Sequence, residues 1–245
     1  MGVGPAGPEG AVGSDGTAPA LPEHLRPVAE RLLGDRLGLA ERFVGILATD
    51  GLERGLIGPR EVDRLWERHL VNCALLADAI DEGTRTLADV GSGAGLPGVV
   101  LAIARPDLRI TLIETMQRRA SWLEEVAEEL GIEVEVLRAR AEDLHGRRTF
   151  DAVTARAVAA LEKLARWTLP LVAPEGELLA LKGSSAAEEI ERAQKVLRRL
   201  GGVDPQVLEL GVGEVEVPTT VVRVRRAPQG GSASTARTRK GEARG

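Results

Sequence analysis

From Glu23 to Thr49 apolar residues recur every three or four positions: Leu25, Val28, Leu32 and Leu33, then Leu39, Phe43, Ile46 and Leu47. That spacing predicts two short helices broken near Gly34–Gly38. Gly51 to Gly58 predicts a loop, and Pro59 suits a first helical turn. Val62, Leu65, Trp66, His69, Leu70, Cys73, Leu76 and Ile80 then fall on one face of a long amphipathic helix ending before Gly83. Residues 1–22 are rich in Gly, Pro, Ala and Ser and offer little to bury, which predicts a disordered tail.

Beyond Gly83 the period changes. Short apolar runs predict strands at Thr86–Val90, Arg109–Ile113, Glu133–Arg138, Phe150–Ala155, Glu177–Leu181, Val207–Leu210 and Thr219–Val224. Helical stretches lie between them at Pro97–Ala104, Gln117–Leu130, Ala160–Leu171 and Ala186–Leu200. Such alternation predicts a Rossmann-like α/β fold: seven strands, mostly parallel, covered on both faces. Only a turn separates the last two strands, which predicts an antiparallel C-terminal hairpin. The expected organisation is one domain over 23–226, with N-terminal helices at 23–82 and the Rossmann-like core at 83–226. Residues 227–245 are expected to form a disordered basic tail.

Composition narrows the chemistry. Aromatic residues make up 2% and Tyr is absent, which disfavours a module that stacks single-stranded bases on its own aromatics. The single cysteine, Cys73, excludes an intramolecular disulfide and a Cys-based zinc site. His24, His69 and His145 show no ligand spacing, so no metal is expected. The best apolar run, Val99 to Ala104, stops at Arg105, far short of a membrane span. With no recognisable signal peptide, a cytoplasmic protein is expected, and a monomer. Net charge is −5, yet the segment from Arg223 onward carries +6 and the rest −11. That segment could reach a polyanion; charge alone favours a disordered solubilising tail.

The run Asp89-Val-Gly91-Ser-Gly93-Ala-Gly95-Leu96-Pro97-Gly98 joins the first strand to the first crossover helix. Glycines let a ligand approach the backbone, and open parallel sheets bind ligands at the carboxyl ends of their strands. A dinucleotide is the usual reading of such a loop. Three details favour S-adenosylmethionine. Asp89 stands two residues before the first glycine, where an acid can orient the loop and reach a cationic end group. Glu114 ends the second strand, where a carboxylate can accept hydrogen bonds from both ribose hydroxyls, a use it shares with dinucleotide sites, so that alone it does not discriminate. After the third strand, an amide near Ala141 and the Glu142 carboxylate could hold an adenine edge. Taken singly, Asp89 could be a turn cap, Glu114 a solvated strand end and Glu142 a helix N-terminal acid. Thr154-Ala-Arg156-Ala, at the end of the fourth strand, is neither an Asn-Pro-Pro-Tyr-type motif nor a Pro-Cys nucleophile.

Six stretches then carry a resemblance: Arg68-His69-Leu-Val-Asn72-Cys73, Asp89 to Gly98, Arg118-Arg119, Arg138-Ala-Arg140-Ala-Glu-Asp143, Ala155-Arg156-Ala157 and Ala180-Leu-Lys182-Gly183. In that order the chain resembles the bacterial small-subunit rRNA guanine-N7 methyltransferases, the glucose-inhibited division protein B family. The resemblance implies transfer of a methyl group from S-adenosylmethionine to N7 of a guanine in the 530 loop of 16S rRNA, guanine 527 in standard rRNA numbering. It implies 16S rRNA or the assembling 30S subunit as partner. By similarity Gly91, Leu96, Ala141, Glu142 and Arg156 would line the cofactor, with Glu114 on the ribose; Asp89 and Gly93 join them from the loop. Arg118, Arg119, Arg140, Arg156 and Lys182 would face RNA. Many members have Asp-Ser where this chain has Asn72-Cys73, and Lys where it has Arg118.

Guanine N7 carries a lone pair and no proton, so the reaction needs no general base, and Arg156 and Lys182 are the candidates nearest the chemistry, as positioning groups. His69, among apolar neighbours, reads more simply as a structural histidine. The alternatives are a methyltransferase acting on another RNA or a small molecule, a nicotinamide-dependent dehydrogenase, and a non-catalytic RNA-binding protein.

Overall fold

The computed structural model describes residues 18–156 and 159–228. Seven strands form one sheet: β1 (Thr86–Val90), β2 (Arg109–Glu114), β3 (Val134–Arg138), β4 (Phe150–Arg156), β5 (Val172–Leu181), β6 (Gly202–Leu210) and β7 (Thr219–Arg226). Their order is β3-β2-β1-β4-β5-β7-β6. The first five pair in parallel; β7 runs antiparallel to β5 and to β6. The mostly parallel sheet with its antiparallel C-terminal hairpin therefore has the expected form. The hairpin joins the sheet through its second strand, so β6 forms the edge.

Helices cover both faces. On one side lie α1 (Arg26–Leu33), α2 (Leu37–Ile46), α4 (Gly98–Ala104) and α5 (Gln117–Leu130), with the helical stretch before β1. On the other lie α6 (Leu161–Thr168) and α7 (Ala186–Arg199). The helix break falls at Gly34, whose φ of +53° favours glycine, and a 3-10 turn at Gly34–Arg36 leads into α2. Phe43 of α2 and Trp122 of α5 are buried in this first core.

The expected regular helix from Val62 to Ile80 is helical but irregular. Pro59–Arg64 is a 3-10 turn and Leu65–Val71 is π-helical. One α turn, α3 (Asn72–Ala74), and a 3-10 turn at Leu75–Ala79 follow. A π turn is wider than an α turn and recurs at functional sites. Here it buries Leu65, Trp66, Leu70 and Val71 while His69 stays partly accessible.

Two strands begin earlier than their apolar runs. β5 starts at Val172 and passes through Pro174-Glu175-Gly176, with a register shift against β4 between Phe150 and Ala152. Glu175 sits at φ +67°, and a Cβ on Gly176 would stand 2.4 Å from the Asp151 carbonyl oxygen. β6 passes through Asp204-Pro205 with a similar shift between Val203 and Gln206. Bulges tolerate the Gly and Pro that elsewhere mark a turn.

The termini also differ from the reading. Residues 18–22 were expected in the disordered tail, but Leu21 is buried and the Pro19 carbonyl accepts the Trp66 indole N–H at 2.9 Å. The Ala227 amide donates to Gly201 at 2.9 Å. The remainder of both tails, 1–17 and 229–245, lies outside the described residues. Among the described residues no helix is long and apolar enough to cross a membrane.

Candidate functional site

β1 ends at Val90, and the glycine loop turns back over β2: the Gly91 amide donates to the Ile113 carbonyl at 2.8 Å. Asp89 is fully buried beneath the loop. Its Oδ2 accepts the Gly98 amide at 3.0 Å, at the first turn of α4. There the helix dipole favours a carboxylate. Burial nonetheless pushes the carboxyl up to about 7, the Gly98 amide and the Arg156 charge opposing. A Cβ on Gly98 would stand 2.3 Å from Leu112 and 2.7 Å from Asp89 Oδ2, so only glycine lets α4 start here. Asp89 thus caps a helix, and it does not line the cleft above the loop.

That cleft encloses about 700 Å³. Gly91, Ser92, Gly93, Ala94 and Leu96 form its floor. Glu114, buried at the end of β2, reaches it: Oε2 accepts the Gly93 amide at 3.1 Å, while Oε1 accepts the Met116 amide at 2.9 Å. Gly93 has φ +55°, which turns its N–H toward the carboxylate. Ala139, Arg140, Ala141 and Glu142 form the far end, with Trp167 of α6. Arg119 enters from the first turn of α5, and its buried Nε has no hydrogen-bond partner. Arg118 is exposed and stays outside the cleft.

The opposite wall was not legible in the sequence. Leu56, Ile57, Gly58, Glu61 and His69 come from the N-terminal segment. The local signals were the Gly51–Gly58 loop between two helical patterns and the Arg68-His69 pair, which read as structural. Trp167 was missed for a similar reason, since one aromatic in an amphipathic helix reads as core.

Arg156, the last residue of β4, stands at the edge of this cleft. Its Nη2 lies 2.8 Å from His69 Nδ1, and its Nη1 reaches the Arg68 carbonyl at 3.3 Å and the Cys73 sulfur at 3.6 Å. Burial pushes the Cys73 thiol up to about 11. Beyond the guanidinium lies a second cleft of about 530 Å³, lined by Asn72, Ala159, Ala160, Leu181, Lys182 and Glu189. Arg156 borders both clefts.

Lys182 is held differently from its expected RNA-facing role. Its side chain is 8% exposed, and Nζ donates to the Ala159 carbonyl at 2.6 Å and to Glu189 Oε2 at 2.9 Å. The same carboxylate oxygen accepts the Leu161 amide at 2.6 Å. Burial would raise the Glu189 carboxyl; Lys182 and the amide outweigh it and hold the group below its ordinary range. The structure therefore gathers Gly91, Gly93, Leu96, Glu114, Arg119, Arg140, Ala141, Glu142 and Arg156 at one cleft. Asp89, Arg118 and Lys182 stand outside it.

Residues 36–216 match the family described as rRNA small subunit methyltransferase G. The chain belongs to that family. The ribosomal RNA small subunit methyltransferase G of Pseudarthrobacter chlorophenolicus is 58% identical over 197 residues, 80% of this chain and 91% of that protein. Its counterpart in Nocardioides sp. is 59% identical over 207 residues, 84% of this chain and 81% of that protein. The family match takes in both walls of the cleft, from Leu56 to Trp167. The apo S-adenosylmethionine-dependent methyltransferase SibL superposes with a TM-score of 0.55 at 20% identity, covering 76% of this chain and 62% of SibL. A protein of Corynebacterium glutamicum gives 0.52 at 18% identity, over 84% and 96%. At such identities these two show the shared fold.

Proposed function

We propose that this chain transfers the methyl group of S-adenosylmethionine to N7 of a guanine in the 530 loop of 16S rRNA, on the naked RNA or the assembling small subunit. The family match across the whole cleft carries the reading, and the cleft supports it. Glu114 Oε2 accepts a single amide, so a lone pair remains for a ribose hydroxyl. Gly91, Gly93 and Leu96 let a ligand lie against the backbone, and Ala141 and Glu142 suit an adenine edge at the far end. When bound, S-adenosylmethionine supplies an electrophilic methyl group. N7 presents its own lone pair, so the protein's task is alignment and exclusion of water. Arg156, between the two clefts, is placed to position the acceptor base. Arg119 and Arg140 at the cleft, and exposed Arg118 beside it, suit phosphate contacts.

The test is incubation with tritiated S-adenosylmethionine and 30S subunits, naked 16S rRNA or 50S subunits, followed by cleavage at N7-methylguanine. Label at one guanine of the small-subunit RNA is expected. Label confined to 50S RNA or to protein would overturn the reading. Arg156→Ala is expected to slow transfer on the order of a hundredfold, the scale on which misalignment acts, with an unchanged unfolding transition. Wild-type turnover would remove Arg156 from the site.

A further inference from the structure

Arg156 is held by an imidazole whose proton the geometry assigns. A guanidinium has only N–H donors, so His69 Nδ1, 2.8 Å from Nη2, must present a lone pair. On the other side of the ring Nε2 stands 2.9 Å from Glu61 Oε2. An ionised carboxylate only accepts, so Nε2 carries the proton. Both ends of the ring are thus fixed, and it is the neutral Nε2–H tautomer.

The chain of contacts spans three elements. Glu61 lies in the 3-10 turn Pro59–Arg64, His69 in the π-helical stretch, and Arg156 at the end of β4. Glu61 and His69 both line the first cleft, opposite Glu114, and Arg156 borders the second. A carboxylate–imidazole pair elsewhere often prepares a general base. Here the lone pair a base would use is already given to the guanidinium. That leaves the ring one role toward the reaction, which is to set the arginine.

We propose that His69, oriented by Glu61, is a positioning residue that fixes the Arg156 guanidinium between the first cleft, which holds the cofactor in the proposed reading, and the second cleft. The inference rests on the proposed methyl transfer for its consequence, though the ring geometry stands apart from it. Protonation of Nδ1 would set N–H against N–H and release the arginine. The charged groups facing the ring are Arg156 from β4, Glu61 from the preceding turn and Arg68 beside it. Burial and Arg156 hold the ring below its ordinary pKa, Glu61 opposing, so the contact is intact at neutral pH.

Imidazole ¹⁵N shifts test the geometry without any substrate. At neutral pH they are expected to report the Nε2–H tautomer for His69, with Nδ1 losing its hydrogen bond in Arg156→Ala. A protonated ring, an Nδ1–H tautomer, or shifts indifferent to Arg156→Ala would overturn the assignment, whatever RNA the enzyme modifies. Kinetics test the consequence. His69→Ala is expected to lower kcat/KM for the RNA at least tenfold, and His69→Ala with Arg156→Ala to be no slower than Arg156→Ala alone. His69→Asn, whose side-chain oxygen can take the place of Nδ1, is expected to recover to within about threefold of wild type. It is also expected to lack the fall in activity that protonation of His69 gives the wild type on the acid side. Multiplicative losses in the double variant overturn the positioning role. So does an Asn variant no better than Ala at an equal unfolding midpoint.

Discussion

Asp89 Oδ1 meets no hydrogen-bond donor, and the carboxyl is buried completely, with its pKa pushed up to about 7. In the unfolded chain the same group titrates at about 3.9. Between those values the folded state holds a proton that the unfolded state has lost, so this residue makes stability fall as pH rises from about 4 to about 7. The loss accumulates to on the order of 4 kcal/mol. Asp89→Asn keeps an acceptor for the Gly98 amide and has nothing to titrate. Urea unfolding at several pH values is expected to show a flatter profile for Asp89→Asn than for wild type. Parallel profiles would mean that the buried carboxyl does not titrate as its surroundings dictate. A second prediction concerns its neighbour. Gly98→Ala forces a Cβ against Leu112 and Asp89, and is expected to destabilise by about 1–3 kcal/mol in the same measurement. At this scale the sequence was only partly legible. That an acid and a glycine belong nine positions apart around a nucleotide-type loop could be read from the motif. Whether the acid faces ligand or helix could not, because both uses demand the same residue types.

Lys182 and Glu189 tie three elements together: the residue after β5, the body of α7 and, through the Leu161 amide, the start of α6. Both side chains are mostly buried, at 8% and 15% exposure. Removing one partner leaves a charge without compensation, so Lys182→Met is expected to cost about 3 kcal/mol of stability. Methyl transfer at a temperature where the variant is folded is expected to stay within about threefold of wild type, because two of the three ammonium N–H groups of Lys182 are spent on the Ala159 carbonyl and Glu189 and the side chain is largely buried. Loss of transfer with an unchanged unfolding midpoint would return Lys182 to the RNA surface. The pair was invisible in sequence, since Lys after a strand and Glu in the next helix are bland at that separation. The elements themselves were far more legible. β1 and α5 begin and end where apolar periodicity places them, because one buried face dictates each pattern. Failures came where geometry departs from the regular period. The stretch before β1 mixes 3-10, π and α turns, whose different periods average to an apparent α-helix. β5 and β6 start inside Pro- and Gly-containing bulges that read as turns.

The whole molecule is acidic, yet its proposed substrate is a polyanion. Part of the basic C-terminal segment is spent inside the fold. Arg223 pairs with buried Glu177 at 3.0 Å and bonds the Ala79 carbonyl, and Arg226 bonds the Leu169 carbonyl. Of the basic segment that sequence places from Arg223 onward, Arg223 and Arg226 are therefore engaged within the fold, while Arg225 stays exposed. Residues 229–245 hold Arg237, Arg239, Lys240 and Arg244 against Glu242, a net +3, so the remainder carries −8. Exposed Arg118 and Arg140, with Arg119 in the cleft, give the body a basic rim beside the ends of β2 and β3. An acidic body with a basic rim gains from further cationic residues, because each phosphate neutralised releases counterions. Deleting residues 229–245 is therefore expected to weaken binding to 16S rRNA and reduce the slope of log affinity against log salt by roughly 2–3. Methyl transfer at saturating RNA is expected to be unchanged, since the family match ends at residue 216 and the cleft lies within it. Binding measured between low and moderate salt decides the matter. An unchanged slope would leave the rim to bind RNA alone. A lost kcat with an unchanged slope would place the segment at the cleft instead of along the RNA backbone.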